Sequence, residues 1–591
     1  MYNVLKNVQI IISLLKEYKV KNLVLSPGSR NVPFVHSVEQ DDYFNCYSIV
    51  DERSAGYFAL GLAEALNEPV LLSCTSATAT CNYLPALEEA NKDNIQLIAL
   101  TADRNPYYRE QLENQMIIQP NMYGKYCKKA VDLPVVYNND DAIYCERLVN
   151  EALLELNHRG NKGPVQINFP AFFGFGDFSV KQLPKCRVIE RIESWEDNRW
   201  QQKYKRLTEA KRIMLLFGEG DNYDKKQEKL LEEMFYTFNC MISTEHMSNI
   251  HTNGTLRTYA ITEGMKNQET IEMLPDIIIT FEKNFSSELK HHIREVCKET
   301  NLEHWRVSLD GKIVDPFRTL TTIFECSNVE FFEKILSYKN NEQKNNYVYY
   351  NLWKEKLDNI KMPKMEFSNF YIIKKLTEVI PKNSLLHLSI LNSIRITNLF
   401  DLDPSIKVYS NIGAYGIDGS LSTFIGNSYN QDKLSFLIIG DLSFLYDLNS
   451  TLNDIINNRN IRILIINNYC GGEFHHVYNN SNIKNVNLHI AAGHRIKLEN
   501  WCRSLNIDYH SASNFEELEN EYNNFIKEHD KPQVLEVFTD ADVDTRILHE
   551  YFKINENVKN CNIFKRIIKK INKEIKKICK TICLKILKIL D

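Results

Sequence analysis

An α/β fold is what this sequence predicts: three tandem doubly wound parallel-sheet domains, followed by a basic amphipathic C-terminal helix. Three observations lead there. Short runs that are apolar on consecutive positions, as strands buried on both faces require, alternate with helix-length segments. The alternation falls into three blocks, each readable as βαβ units on a parallel sheet. Beyond the third block, apolar residues recur every three or four positions among lysines, the pattern of a helix with one apolar stripe.

The elements follow in order. The first stretch, MYNVLKNVQIIISLLKEYKV, sets Lys and Glu at helical spacing and has no small-residue cleavage site, so it predicts an amphipathic helix and not a signal peptide. Asn22–Ser26, Pro69–Cys74, Ile95–Thr101 and Gly163–Pro170 are the strand candidates of the first block. Ser54–Asn67 and Asn82–Ala90 supply helices between them. The second block offers Lys211–Phe217, Cys240–Thr244, Asp276–Phe281 and His304–Leu309 as strands. A polar linker at Tyr338–Tyr347 precedes the third, with Ser384–Leu388, Lys407–Ser410, Leu434–Ile439, Ile461–Ile466 and Gln533–Phe538. The expected domains are 1–185, 186–340 and 345–555, with the tail at 558–591.

Composition narrows the function. With 591 residues, 43% of them hydrophobic, the chain can bury several cores. Its 21 Gly and 16 Pro are too few for a collagen-like or broadly disordered chain. No run of apolar residues is long enough to span a bilayer. The 14 Cys form no CxxC pair, which argues against a zinc ribbon or a disulfide framework and suits a reducing cytoplasm. The net charge of −5 hides an asymmetry. Val558–Asp591 carries 11 basic and 2 acidic residues, and the rest carries 60 and 74. An acidic body of this kind is not a nucleic-acid binder.

The most specific local pattern lies in the third block. A strand runs into Gly440-Asp441-Leu442-Ser443, and the next strand runs into Asn467-Asn468-Tyr469-Cys470-Gly471-Gly472. An Asp and an Asn at the carboxyl ends of adjacent parallel strands meet where such sheets bind ligands. Both offer hard oxygens of the kind Mg²⁺ takes together with phosphate oxygens. The glycine pair lets backbone approach a diphosphate closely. Either residue alone would more often be a simple strand terminator.

GDLSFLYDLN followed by NNYCGG resembles the metal-diphosphate motif of the thiamine-diphosphate-dependent enzymes, whose plan is three α/β domains. The resemblance sharpens in LSPGSRNVPF, VDERSAGYFALGLAEA, CTSATATCNYLPALEEA, LTADRNPYYRE and ENQMIIQ, and in LNSIR and NIGAYGIDGSLSTFIG. These follow the order seen in the menaquinone-biosynthesis branch of that family. The resemblance implies a decarboxylating carboligase of the transferase class that joins 2-oxoglutarate to isochorismate. It implies thiamine diphosphate with Mg²⁺ (or Mn²⁺) as cofactors, and a homodimer or homotetramer whose cofactor sites form between subunits. By resemblance, Glu52 is the catalytic residue that shares a proton with the cofactor's aminopyrimidine. Asp441, Asn468 and the Cys470 carbonyl hold the metal. Gly440, Gly471, Gly472, Ser76 and Ile417 seat the cofactor. Ser29, Arg30, Arg104, Asn114 and Gln115 face the acceptor's carboxylates, and Ser393 and Arg395 face the donor's.

Four departures stand beside these matches. Ile412 replaces an arginine of the family's NRG segment, and the family's Lys-Arg pair falls in Phe285-Ser286-Ser287-Glu288-Leu289. Cys470 stands where a glycine is usual, and Glu473 replaces an aliphatic residue. The first, second and fourth favour an alternative: a related 2-oxo acid decarboxylase or carboligase with another substrate, in surface-glycan or secondary metabolism. A non-catalytic scaffold is a weaker alternative, because Glu52, Asp441 and Asn468 are all kept. His475 and His476 read as structural histidines before proton shuttles. The basic tail suits either packing on protein or peripheral contact with an anionic membrane.

Overall fold

The computed structural model describes residues 1–220, 223–281, 283–340, 344–429, 432–478 and 485–556. The expected basic helix at 558–591 lies outside them. The described chain divides into two compact units, Met1–Arg206 with Glu303–Tyr338, and Leu207–Leu302 with the residues from Lys339 onward.

The first unit holds a six-stranded sheet in the order 45–48, 22–25, 70–74, 97–103, 165–170, 129–132. Every neighbouring pair is parallel. Val70–Cys74, Leu97–Asp103 and Val165–Pro170 are buried at every position, as their apolar runs required. Helices such as Glu52–Leu66 and Leu84–Lys92 connect the strands. Three further parallel strands, Glu190–Ile192, Glu303–Val307 and Leu320–Phe324, complete this unit.

The expected first helix is present at Lys6–Glu17, but it is a core helix with Asn7–Leu15 buried throughout. Its polar side chains are buried because each finds a backbone carbonyl. Asn7 Nδ2 donates to Pro170 O at 2.9 Å, Gln9 Nε2 to Asn3 O at 2.8 Å and Ser13 Oγ to Pro184 O at 2.9 Å.

The second unit carries a parallel group in the order 255–256, 240–243, 213–217, 277–281. It also carries a six-stranded parallel sheet in the order 407–410, 385–388, 435–440, 461–467, 533–538, 508–512. Strands Ser435–Gly440 and Ile461–Asn467 lie in its middle, in register from Ser435 beside Ile461 to Gly440 beside Ile466. That register sets the loops after Gly440 and Asn467 side by side. Helices Asn369–Val379, Ser420–Ser428 and Ala541–Asn555 flank the sheet.

Candidate active site

Asp441 opens the helix Asp441–Tyr446 directly at the end of its strand. Its carboxylate accepts from Leu442 N at 2.7 Å, and the nearby backbone amides of Asn468, Tyr469 and Cys470 favour its charged form. Its Oδ2 is buried with no hydrogen-bond partner. Burial pushes the acid up to about 7 despite these donors. His494 Nε2 lies 3.3 Å from Oδ2, but the two are not aligned for a hydrogen bond, and burial lowers the imidazole's pKa toward the neutral form. A buried carboxylate with one idle oxygen and no matching cation is a place for a cation.

Asn468 stands beside it. Its Nδ2 donates to Asp544 Oδ2 at 3.5 Å, which aims the amide. Asp544 is held in turn by Asn369 N and Thr539 Oγ1, both at 2.8 Å, and burial raises its pKa to about 7. Asp544 went unread in the sequence, because it sits on a helix far along the chain with no motif around it. A side chain at Gly472 would place its Cβ 2.7 Å from Asn468 Nδ2, so the glycine is needed for this close approach. The left-handed residue of the loop is Tyr469, at φ 62°, and not Cys470. The side chain that replaces the usual glycine is therefore unstrained, and Cys470 O stays available as a backbone ligand.

These groups edge a cavity of about 130 Å³ lined by Ser389, Ser393, Ile417, Asp441, Asn468 and Gly472, among others. Gly440 and Gly471 line it too. Ile417 is half-buried there, and its carbonyl accepts from Ser443 Oγ. A larger cleft of about 1050 Å³, edged by Arg212, Glu269, Lys356 and Phe552, holds none of the expected site residues. In the first unit, His158, Glu193 and Glu325 are spaced to share a metal, but Arg159 and Arg191 already pair with Glu325 and Glu193.

The donor-side residues are engaged within the protein. Arg395 Nη1 and Nη2 donate to Glu473 at 2.7 and 3.1 Å, and Nη1 donates to Asn392 Oδ1 at 2.6 Å. The Glu263 carboxylate lies 4.0 Å away, and burial raises it to about 8. The turn at Ser286–Glu288 receives two internal acids. Ser286 N and Ser287 N donate to Glu245, and Glu288 N donates to Glu263 Oε1. Ile412 is 3% exposed within an apolar cluster. His475 has both ring nitrogens occupied, by Asp542 at 3.0 Å and Asn487 at 2.7 Å, which fits its structural reading. The side chain of His476 lies outside the description.

In the first unit, Glu52 is the first residue of its helix, half-buried, with Asp51 capping Ser54 N at 2.8 Å. Ser76 Oγ donates to Gln115 O at 3.0 Å. Arg104 pairs with Glu113 at 2.6 Å, and the same two charges act on the guanidinium of Arg30, which lies over the Phe175 ring. Ser29 and Asn114 are exposed. Behind these lies a buried network in which Gln119 donates to Ala102 O and Asn168, and Arg109 bridges Asp103 and Asp132.

Residues 5–122 match the family "Thiamine pyrophosphate enzyme, N-terminal TPP binding domain". The chain is 36% identical to the 2-succinyl-5-enolpyruvyl-6-hydroxy-3-cyclohexene-1-carboxylate synthase of Bacteroides thetaiotaomicron, over 93% of this chain and 99% of that one. It belongs to that synthase family. The synthase of Phocaeicola vulgatus is also 36% identical, over 95% of this chain and 100% of its own. That of Flavobacterium johnsoniae is 30% identical over 92% and 98%. As a member of the synthase family the chain is a thiamine-diphosphate-dependent enzyme of the transferase type acting on small molecules. The orphaned Asp441 oxygen and the Gly472 approach suit a diphosphate carried with a hard divalent cation. Among the described residues, no helix is long and apolar enough to cross a membrane.

Proposed function

We propose that this chain removes CO2 from a 2-oxo acid and transfers the remaining fragment to an electrophilic acceptor. The relatives' name points to 2-oxoglutarate as the succinyl donor and isochorismate as the acceptor, in menaquinone biosynthesis. The observation that carries the reading is the buried, unpaired Oδ2 of Asp441 beside Asn468 at the ends of adjacent strands.

In this reading Asp441, Asn468 and the Cys470 carbonyl hold Mg²⁺ (or Mn²⁺), and Gly440, Gly471, Gly472, Ile417 and Ser76 seat the cofactor. Thiamine diphosphate, when bound, supplies the carbanion equivalent that no side chain can. Glu52 holds a proton at the aminopyrimidine. It does so from the first position of its helix. Ser29, Arg30, Arg104, Asn114 and Gln115 orient the acceptor's carboxylates, for which Arg has the matching fork. Ser393 and Arg395 face the donor. The three-domain division at 1–185, 186–340 and 345–555 belongs to the same reading.

A second reading keeps the chemistry and changes the substrate. It is favoured by the Glu473 carboxylate seated on Arg395. A homodimer or homotetramer is supported by the exposed apolar residues Tyr57, Phe58 and Leu66 on the helix that begins at Glu52. A cytoplasmic enzyme, held at the inner membrane face by the basic tail, accords with the composition; salt-sensitive co-sedimentation with anionic vesicles tests the tail.

The test of function is an assay of purified protein with thiamine diphosphate and Mg²⁺. It follows CO2 from 2-oxoglutarate, and the adduct by mass spectrometry with and without isochorismate. Adduct formation supports the first reading. CO2 from another 2-oxo acid alone supports the second. In the same assay Glu52→Gln should lower turnover by about 10²–10⁴-fold, the usual weight of a positioned proton transfer. Unchanged turnover removes Glu52 from the mechanism.

A further inference from the structure

We propose that Glu536 is a positioning residue for the metal-binding loop: it fixes the Asn467 amide, which sets the turn that carries Asn468 and Cys470. The inference rests on the metal-site reading above and names what holds that site in shape.

Glu536 lies on the strand Gln533–Phe538, beside Ile465, and is fully buried. Its two oxygens take three donors. Oε1 accepts from Asn467 Nδ2 at 2.6 Å, and Oε2 accepts from Tyr509 Oη at 2.6 Å and from Leu498 N at 3.1 Å. A carboxylate only accepts hydrogen bonds, so the side of the Asn467 amide that faces it is the NH2. The amide oxygen is thereby turned to the loop, where it accepts from Tyr469 N at 3.0 Å. A side-chain oxygen bonded to the backbone two residues on is the turn that asparagine favours at a strand end. It closes around Asn468, and the chain passes through Tyr469 at φ 62°. Cys470 N donates in turn to Asn468 Oδ1 at 3.3 Å. Asn467 and Asn468 are thus each oriented by a buried acid of the final strand and helix, Glu536 for the first and Asp544 for the second. Asp544 aims a side chain of the site, and Glu536 aims the backbone that carries it.

An amide in place of Glu536 loses this selection. With its oxygen toward Asn467, its NH2 faces the N–H of Leu498. With its NH2 toward Asn467, the Asn467 amide must reverse and present its own NH2 to Tyr469 N. Either arrangement sets donor against donor in a buried place, and the second undoes the turn.

The test compares wild type with Glu536→Gln by electron paramagnetic resonance of free Mn²⁺, at saturating thiamine diphosphate and without substrate. Mn²⁺ affinity should fall about tenfold to a hundredfold in the variant, the usual weight of a group that orients metal ligands. Tyr509→Phe removes a hydrogen bond from the other oxygen of the same carboxylate, and it should leave Mn²⁺ affinity within a few-fold of wild type. Adding Asn467→Asp to Glu536→Gln exchanges donor and acceptor across the contact. The new carboxylate takes the new NH2 and still accepts from Tyr469 N, so the double variant should bind Mn²⁺ more tightly than either single variant. Unchanged affinity in Glu536→Gln, an equal loss in Tyr509→Phe, or losses that simply add in the double variant overturn the proposal. Should Glu536→Gln fail to fold, Asn467→Ala carries the same expectation and the same refutation. A wild type that takes up no Mn²⁺ refutes the metal-site reading itself, whereas equal uptake by wild type and variant refutes only the role of Glu536.

Discussion

Two polar clusters in the second unit differ in one respect that governs what each can bind. At Asp441 the charge is unbalanced: a buried carboxylate keeps an idle oxygen and faces a neutral imidazole. At Arg395 the charge is matched, with Glu473 in the fork and Glu263, which burial holds toward its neutral form, beyond it. Burial raises the cost of an unpaired charge, so the first cluster suits a cation. The second has its counter-ion within the chain itself. In the proposed reading the cofactor belongs to the unsatisfied cluster, and the satisfied one holds its own ion pair.

The sharpest way to break the contrast is Asp441→Asn. Without the charge, Mg²⁺-dependent binding of thiamine diphosphate should weaken about a hundredfold or more, on the scale of breaking a buried pair. The cofactor-free variant should nevertheless melt higher than wild type, because an uncompensated buried carboxylate has been removed. Calorimetric titration and thermal melts check both. A variant destabilised without cofactor would mean that Asp441 is balanced by something other than a metal.

Gly472→Ala tests the geometry of the same cluster without touching its charge. The new Cβ would meet Asn468 Nδ2 at 2.7 Å and push the amide aside. Activity at limiting Mg²⁺ should fall about tenfold to a hundredfold, the cost of a misplaced positioning group, with partial rescue at high Mg²⁺. Full activity in this variant would place the metal's ligands elsewhere.

The smallest effect concerns the acid at the other cluster. The folded protein holds the Glu263 proton up to about 8, whereas an unfolded chain loses it near the ordinary glutamate value of 4.5. Between those values the folded state binds more protons, so this group's stabilising contribution is complete below the lower value and is lost as pH rises through the upper one. Glu263→Gln should flatten the fall in stability between about pH 5 and 8, the window set by those two values, in denaturant titrations. An unaltered slope would show that another group carries it.

How far the sequence could be read differs between the same kinds of region. Strands buried on both faces announced themselves as apolar runs, and Val70–Cys74, Ile213–Phe217 and Ile461–Asn467 lie within a residue or two of their expected limits. Some edge strands did not, although Lys407–Ser410 did. Asn45–Ser48 and Asp508–Ala512 are partly exposed, so nothing forces a continuous apolar run there. The Asp441–Asn468 pair was legible because two adjacent strand ends carry it. Asp544, Gln119 and Glu263 were not, because each reaches its cluster from a distant segment and is recognisable only by what it touches. The first helix was expected to be amphipathic from its Lys and Glu spacing, whereas Asn7, Gln9 and Ser13 also lie inside the core, where backbone carbonyls satisfy them.

Anomalous diffraction from crystals grown with Mn²⁺ and thiamine diphosphate reads the metal site itself. One metal peak per chain is expected, with Asp441 Oδ2, Asn468 Oδ1 and Cys470 O at coordination distance. Cofactor bound with the metal held by other residues, or with no metal beside Asp441, would contradict this expectation.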